Sequence, residues 1–308
     1  MPWHTDGVVR DLRRTLGVVP VERDVVRVSG PDAVSYLQGQ LSQDVEDLDV
    51  GGTTWSFVLQ PSGKVDVWCR VTRTGGDGYL LDADGGTGEK LVARLRRFLL
   101  RTKAEVEPLR GWRALALRGP GAADAAARVP VEAELRVPAG WPAVEGADLL
   151  GPEVRMAAEL AEHAVDEADY QALRIRSGVP ATGAELTDRT IPAEAGQWII
   201  DASVDFTKGC FTGQELVARI DSRGGNVPRR LRGLVVAAGA GGGPPAGAAV
   251  LVDGDEVGTV TSSAVAPDPG DGAIALAYIA RAVEPPADAT LRWADGEAAA
   301  VVRSLPLD

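Results

Sequence analysis

A chain of 308 residues with an apolar fraction of 45% is long enough for two or three domains with cores of their own. Its 44 acidic against 32 basic side chains give a net charge of −12, a surface that repels nucleic-acid phosphates and anionic lipid headgroups, so neither is an expected partner. No run of about 18 apolar residues is present to span a bilayer. Residues 1–19 mix Asp6, Arg10, Asp11, Arg13 and Arg14 with short apolar pairs, unlike a signal peptide, and a cytoplasmic protein is expected.

Two cysteines, Cys69 and Cys210, are too few for a disulfide framework, and the two histidines, His4 and His163, stand far apart. No metal site built by this chain alone is expected. Lysine is also scarce, being confined to Lys64, Lys90, Lys103 and Lys208.

In chain order, Thr5 to Leu16 reads as a short amphipathic helix and Asp24 to Val28 as a strand. Ser29-Gly30-Pro31 opens a helix that places Val34, Leu37 and Leu41 on one face. Its other side carries Gln38, Gln40 and Gln43, which are either solvated or supply amide contacts to a polar ligand. Thr53 to Gln60 and Lys64 to Arg73 form two strands joined at Pro61-Ser62-Gly63. In the second strand Val65, Val67, Cys69 and Val71 share one face, and Asp66, Trp68 and Arg70 share the other. Cys69 therefore reads as core. Asp66 is either an ordinary solvent-facing residue or a carboxylate looking into a pocket with Trp68 as its aromatic wall, and aspartate is disfavoured in strands.

A strand at Tyr79 to Ala83 leads to a helix capped by Thr87, with Leu91, Leu95, Phe98 and Leu99 inward and Lys90, Arg94, Arg96, Arg97 and Arg101 on the wet side. Further strand and helix follow through Val106, Ala114 to Leu117 and Ala122 to Arg128. Hairpins mixed with single helices indicate α+β layers. The glycine-rich pieces at 75–78 and 85–88 lack dinucleotide and P-loop patterns. Pro130 to Pro152 is the least structured part of the middle, and helices are expected at Met156 to His163 and Asp166 to Ser177, the second stopped by Gly178-Val179-Pro180. Ala181 to Trp198 should wind irregularly, as loops bordering binding sites do. Past a boundary near Asn226, a flexible loop at Gly239 to Gly247 and five or six short strands with Asp-Gly turns read as a small closed all-β domain.

Just before that boundary, Thr207 to Ile220 concentrates the rare residues. Thr212 and Glu215 have capping-box spacing, so a helix should start at Thr212. Cys210 would then face the positive end of that helix with Lys208 two residues away, and both influences favour a thiolate. Gly209 and Gly213 allow a sharp turn or close approach. The same cysteine also reads as a small apolar filler.

The octapeptide Lys208-Gly209-Cys210-Phe211-Thr212-Gly213-Gln214-Glu215 resembles the signature of the YgfZ-type folate-binding proteins, relatives of the glycine-cleavage T-protein. Gly30-Pro31-Asp32-Ala33 with Leu37 to Asp44, Pro61-Ser62-Gly63-Lys64, Arg174 to Pro180, and Gly258 to Ser262 resemble other elements of that family, so the similarity runs along nearly the whole chain. It implies a three-domain α+β cloverleaf around a central folate channel. Laid over this chain, the resemblance implies a discontinuous folate-binding domain of 1–50 and 108–226, an inserted α+β domain at 51–107 and a C-terminal β-barrel at 227–308.

The implied ligand is tetrahydrofolate or a substituted reduced folate, and the implied role is support of iron–sulfur cluster synthesis or repair. Iron–sulfur client or assembly proteins would be the partners, with an iron–sulfur species held transiently. Cys210 is then the reactive centre, Lys208 tunes it, and Asp66 falls where T-proteins place the acid facing the one-carbon unit. Gln40, Trp68, Gly209, Phe211, Gln214 and Glu215 would line the folate site, and Arg223 belongs to an arginine cluster that either meets the folate glutamate tail or is solvated. The chain departs from T-proteins in having Val67 after Asp66 and Arg176 where they carry a pterin-gripping glutamate. An aminomethyltransferase or demethylase using Asp66 and a binding scaffold without chemistry are the competing readings.

Overall fold

The computed structural model describes residues 9–238, 243–267 and 271–307. Its elements run β1 (Gly17–Val21), β2 (Arg23–Ser29), α1 (Ala33–Gln40), β3 (Thr53–Leu59), β4 (Val65–Gly75), β5 (Gly78–Asp84), α2 (Gly88–Arg96) and β6 (Glu105–Leu109). There follow β7 (Arg113–Arg118), α3 (Ala122–Arg128), β8 (Leu135–Pro138), β9 (Gly146–Gly151), α4 (Ala158–Ala161), α5 (Glu167–Ser177), α6 (Gln197–Ser203) and α7 (Gln214–Ser222). The last strands are β10 (Arg229–Ala237), β11 (Ala249–Val252), β12 (Asp255–Val265), β13 (Asp271–Ala280), β14 (Ala287–Trp293) and β15 (Gly296–Arg303). Among the described residues no helix is long and apolar enough to cross a membrane.

The chain divides into two compact units, one of Glu22–Arg113 and Ala181–Val227, the other of Met1–Val21, Ala114–Pro180 and Pro228–Asp308. The first holds a five-stranded antiparallel sheet of order β3-β4-β5-β2-β6. Strand alternation puts Val67, Cys69 and Val71 of β4 on the face that meets Tyr36, Leu37 and Leu41 from the α1 region and Leu91 and Leu95 of α2. Each fully buried leucine contributes roughly 1.5–3 kcal/mol, which fixes both helices on this face. Because β2 pairs with both β5 and β6, and α1 completes the core, residues 51–107 do not close a sheet alone.

The other face is not the solvent face that alternation suggests. Trp68 is buried and stacks on Trp55 with ring centroids 4.0 Å apart. Arg70, 1% exposed, holds Asp82 through two 3.0 Å bonds, and Arg23 joins Asp82 at 2.7 Å and Asp84 at 2.6 Å. Burial of this face forces its charges to pair. Burial also pushes the Cys69 thiol up to about 12, with Asp82 adding to the effect, so Cys69 stays a protonated core residue.

In the second unit β1, β7, β9 and β8 form a four-stranded sheet in that order, and β10-β13-β12-β11-β14-β15 close a six-stranded barrel. Pro130 to Pro152, expected to be the least structured part of the middle, supplies the paired strands β8 and β9, since Leu135, Val137, Leu149 and Leu150 are buried despite the surrounding proline and glycine. Helix α5 is closed by an Asp166–Asp169 capping box and ends at Gly178 with φ +72°, where a Cβ would lie 2.9 Å from Leu305. Its Ala172 and Ile175 pack on Leu231, Ile274, Leu276 and Tyr278 of the barrel's outer side.

Two expected helices shrink. Residues 9–16 form turns, with 5–8 outside the described residues, and Met156 to His163 retains the single turn α4. Residues 239–242 of the loop expected at Gly239 to Gly247 lie outside the described residues.

Asp82→Asn should lower the unfolding free energy by about 3–5 kcal/mol, because it strips the buried Arg70 of its counter-charge. Glu107→Gln, which breaks the exposed Arg27–Glu107 pair, should change it by about 0–1 kcal/mol. Equal urea midpoints for the two variants would contradict the buried network.

Candidate functional site

The last turn of α1 leaves carbonyls without helical partners. One of them, and two carbonyls just past the helix, are satisfied by the segment that carries the cysteine. Lys208 Nζ donates to the carbonyls of Leu41 and Gln43, each at 2.8 Å, and the Thr212 N–H donates to the Gly39 carbonyl at 3.1 Å. A cation at a helix C-terminus also meets the negative end of the dipole.

The approach to this clamp is built by short polar side chains. Asp205 Oδ1 accepts from the Thr207 N–H at 2.6 Å, the Thr207 hydroxyl at 2.7 Å and the Lys208 N–H at 3.1 Å. The Thr207 bonds hold the Asp205 carboxyl below the ordinary carboxylate range. The Asp205 N–H donates to the Ser42 carbonyl, and the buried Ser42 hydroxyl donates to the Ser203 carbonyl at 2.6 Å while accepting the Phe57 N–H. Ser203 Oγ in turn accepts the Trp68 indole N–H at 2.9 Å. Thus α6, the start of the loop and β4 share one hydrogen-bonded anchor. Ser42, Ser56 and Ser203, all buried, were not singled out by sequence reading, because serine carries no periodic signal.

Beyond the clamp the loop differs from its expected form. Helix α7 begins at Gln214 with Gly213 as N-cap at φ +83°, and no side-chain cap from Thr212 is made. Gln214 Oε1 instead accepts the Phe211 N–H at 3.0 Å, and Glu215 is exposed. Gly213 is required by close approach, since a Cβ there would fall 2.4 Å from the Gln60 carbonyl oxygen, whereas one at Gly209 meets nothing within 4 Å.

Cys210 is a free, exposed thiol three residues outside that N-cap. No hydrogen bond joins it to Lys208, whose ammonium is taken by the Leu41 and Gln43 carbonyls and lies 5.5 Å from the Phe211 ring centroid. The expected partner of the thiol is therefore its clamp. Desolvation lowers the Lys208 ammonium from 10.5 to about 8, opposed by Asp44 and Asp205.

Asp66 sits in a β-bulge. Val58 pairs with Val67 and Leu59 with Val65, leaving Asp66 without a cross-strand partner, and a bulge re-aims its extra side chain. Its carboxylate lies 3.4 Å from Arg94 Nε and 3.5 Å from Lys90 Nζ. Arg94, expected on the wet side of α2, is buried, and also donates to Gln40 Oε1 at 3.1 Å and the Leu59 carbonyl at 2.9 Å. Desolvation lowers the Arg94 guanidinium, with Asp66 the first of the opposing charges. So Asp66 and Gln40 meet on one arginine that sequence reading assigned to solvent, and the hairpin, α1 and α2 are tied at that point.

Besides the stacked Trp55, Trp68 has a second aromatic neighbour, Trp198 of α6, edge-on at 6.1 Å. The Trp198 indole N–H is buried with no acceptor among the described residues. Such an orphaned donor beside stacked rings fits a planar heteroaromatic ligand with carbonyl or ring-nitrogen acceptors, the chemistry of a pterin. Arg223 is exposed at the C-cap of α7.

Two family models match the chain: the GCVT N-terminal domain over residues 9–149 and the glycine cleavage T-protein C-terminal barrel domain over residues 229–308. A tRNA-modifying protein YgfZ from Edwardsiella ictaluri is 32% identical over 219 residues, 65% of this chain and 65% of that protein. An iron–sulfur cluster assembly factor IBA57 homolog, mitochondrial, from Pyricularia oryzae is 30% identical over 209 residues, 66% of this chain and 53% of that protein. The matched stretches thus span between about half and two thirds of these relatives' own lengths. The crystal structure of glycine cleavage system aminomethyltransferase T from Bartonella henselae shares the fold, with a TM-score of 0.75 at 22% identity, covering 96% of this chain and 87% of that one. With both T-protein domains present and YgfZ proteins among its relatives, the chain belongs to the YgfZ/GcvT family.

Proposed function

We propose that this protein binds a reduced folate and supports iron–sulfur cluster synthesis or repair through Cys210. The observation that carries the reading is an exposed free thiol on a loop clamped by Lys208 to the end of α1. A thiol held out to solvent by buried bonds is presented for chemistry or for a partner, whereas a filler cysteine is buried, as Cys69 is. The iron–sulfur assembly and tRNA modification named for the relatives meet in one scheme if the served cluster belongs to an enzyme that modifies tRNA. A net charge of −12 disfavours direct grip of RNA phosphates.

Tetrahydrofolate or a substituted form is the favoured ligand, and it supplies a planar pterin and a one-carbon-carrying nitrogen. Trp198 would donate to a ring acceptor, Trp68 would back the aromatic wall, and Gln40 keeps an amide N–H₂ for a polar edge. Phe211, Gly209, Gln214 and Glu215 shape the loop beside the thiol. The iron–sulfur species is cargo. A single thiolate leaves its other iron ligands to an assembly or client protein, since Cys69 is buried. One-carbon transfer with Asp66 as base is not adopted, because proton abstraction would first have to release that carboxylate from Arg94 and Lys90.

In a strain lacking the native copy, Cys210→Ala should fail to restore the activity of cluster-dependent enzymes while folding with the wild-type unfolding midpoint. Full restoration would refute the role of the thiol. The clamp has its own signature. The folded state holds Lys208 near 8 and the unfolded state near 10.5, so between these values the unfolded chain binds more protons and stability rises with pH. The unfolding free energy of the wild type relative to Lys208→Met should therefore increase from pH 8 to 10.5, and a flat difference would contradict the buried ammonium.

A further inference from the structure

The barrel carries a charge arrangement that the folate reading does not use. Leu234 and Val236 of β10 face the apolar interior together with Ala275, Ala277 and Ile279 of β13. Arg232 pairs in register with Ala277 and Arg230 with Ile279, so strand alternation places both arginines on the inward side. Leu231, between them, points outward into the layer covered by α5, and Arg229 likewise lies over the Tyr278 ring, 4.3 Å from its centroid. Two guanidiniums two residues apart, roughly 7 Å along the strand, therefore line one mouth of the barrel. The positions facing them are small. Ala277 is opposite Arg232, and Gly258 of β12 pairs with Ile279, with its missing Cβ demanded by the Tyr278 carbonyl 2.3 Å away.

The Arg232 side chain is half-buried and makes no hydrogen bond or ion pair among the described residues. Desolvation and the like charge of Arg230 lower its guanidinium, and Glu284 acts in the opposite direction. A partly desolvated cation beside a second cation, with no protein acceptor for its side chain, is a cost in the free protein that a bound anion removes.

We propose that Arg232, with the charge of Arg230 behind it, forms an anion site at this mouth of the barrel that takes a carboxylate or phosphate group of a ligand. The planar fork of donors suits both groups. Two sources share this chemistry: the glutamate tail of a reduced folate, an arm that rests on the proposed function, and a phosphate-bearing molecule, which does not.

The test is calorimetric titration of the full chain with inorganic phosphate and with mono- and pentaglutamyl 5-formyltetrahydrofolate. Wild type, Arg232→Gln, Arg232→Lys and the surface control Arg281→Gln are compared. At least one anionic probe should bind the wild type and the control alike and lose about tenfold or more in affinity on Arg232→Gln. Arg232→Lys, which keeps the charge and loses the fork, should fall between. A preference for the pentaglutamyl form that Arg232→Gln abolishes assigns the site to the tail. Phosphate binding lost without any effect of tail length assigns it to a phosphate-bearing ligand and stands even if no folate binds. Arg232→Gln should also raise the unfolding midpoint in anion-free buffer, as it removes a half-buried like charge. Unchanged binding of every probe, or a lowered anion-free midpoint, would overturn the proposal.

Discussion

The carbonyls at and just past the C-terminus of α1 organise the candidate site. An eight-residue helix ending over a buried sheet needs donors for its last turn. In this protein a segment distant in sequence gives the Thr212 N–H to the Gly39 carbonyl of that turn and the Lys208 ammonium to the Leu41 and Gln43 carbonyls just beyond the helix, which stops at Gln40. The result is mutual. The helix end gains its caps, and the loop from Asp205 to Gly213 gains a fixed position with Cys210 between its two points of attachment. The remaining contacts reinforce this arrangement: the Ser42–Ser203–Trp68 anchor holds the loop's origin, and the backbone approach of Gly213 to Gln60 fixes its exit.

The same economy explains Asp66. A strand that continued its alternation would bury this carboxylate among Trp68 and Arg70. The bulge turns it toward α2, where Arg94 joins it to Gln40 and to the Leu59 carbonyl. One buried arginine thereby links the hairpin, α1 and α2 beside the segment that α1 clamps. Asp66 and Gln40 are accordingly both members of the site's framework, and any ligand role they take is exercised from paired positions.

Much of the fold was legible from periodicity. The hairpin at Pro61-Ser62-Gly63, the core role of Cys69, the Gly178 stop of α5 and the strands of the barrel all follow from local pattern and turn chemistry. What periodicity missed depends on partners far along the chain. Arg94 and Arg70 look solvated because arginine usually is, and they are buried because Asp66 and Asp82 neutralise them. β8 and β9 were hidden by proline and glycine that flank a buried leucine pattern. The Thr212-x-x-Glu215 spacing promised a cap that the left-handed Gly213 supplants, since the helix starts one residue later than that motif requires. The cysteine loop was legible as a motif, but its geometry was not, because Lys208 is held by carbonyls that no sequence rule connects to it.

The account makes the exposed thiol and the folate neighbours in one unit of the protein. The most direct measurement is the rate of alkylation of Cys210 by a small thiol reagent as reduced folate is titrated to saturation, with binding followed in parallel by calorimetry. Cys69 is buried, so the fast phase reports Cys210. The account predicts a rate that falls along the binding isotherm and levels at saturation. A rate that stays constant while folate demonstrably binds would separate the thiol from the ligand and contradict it.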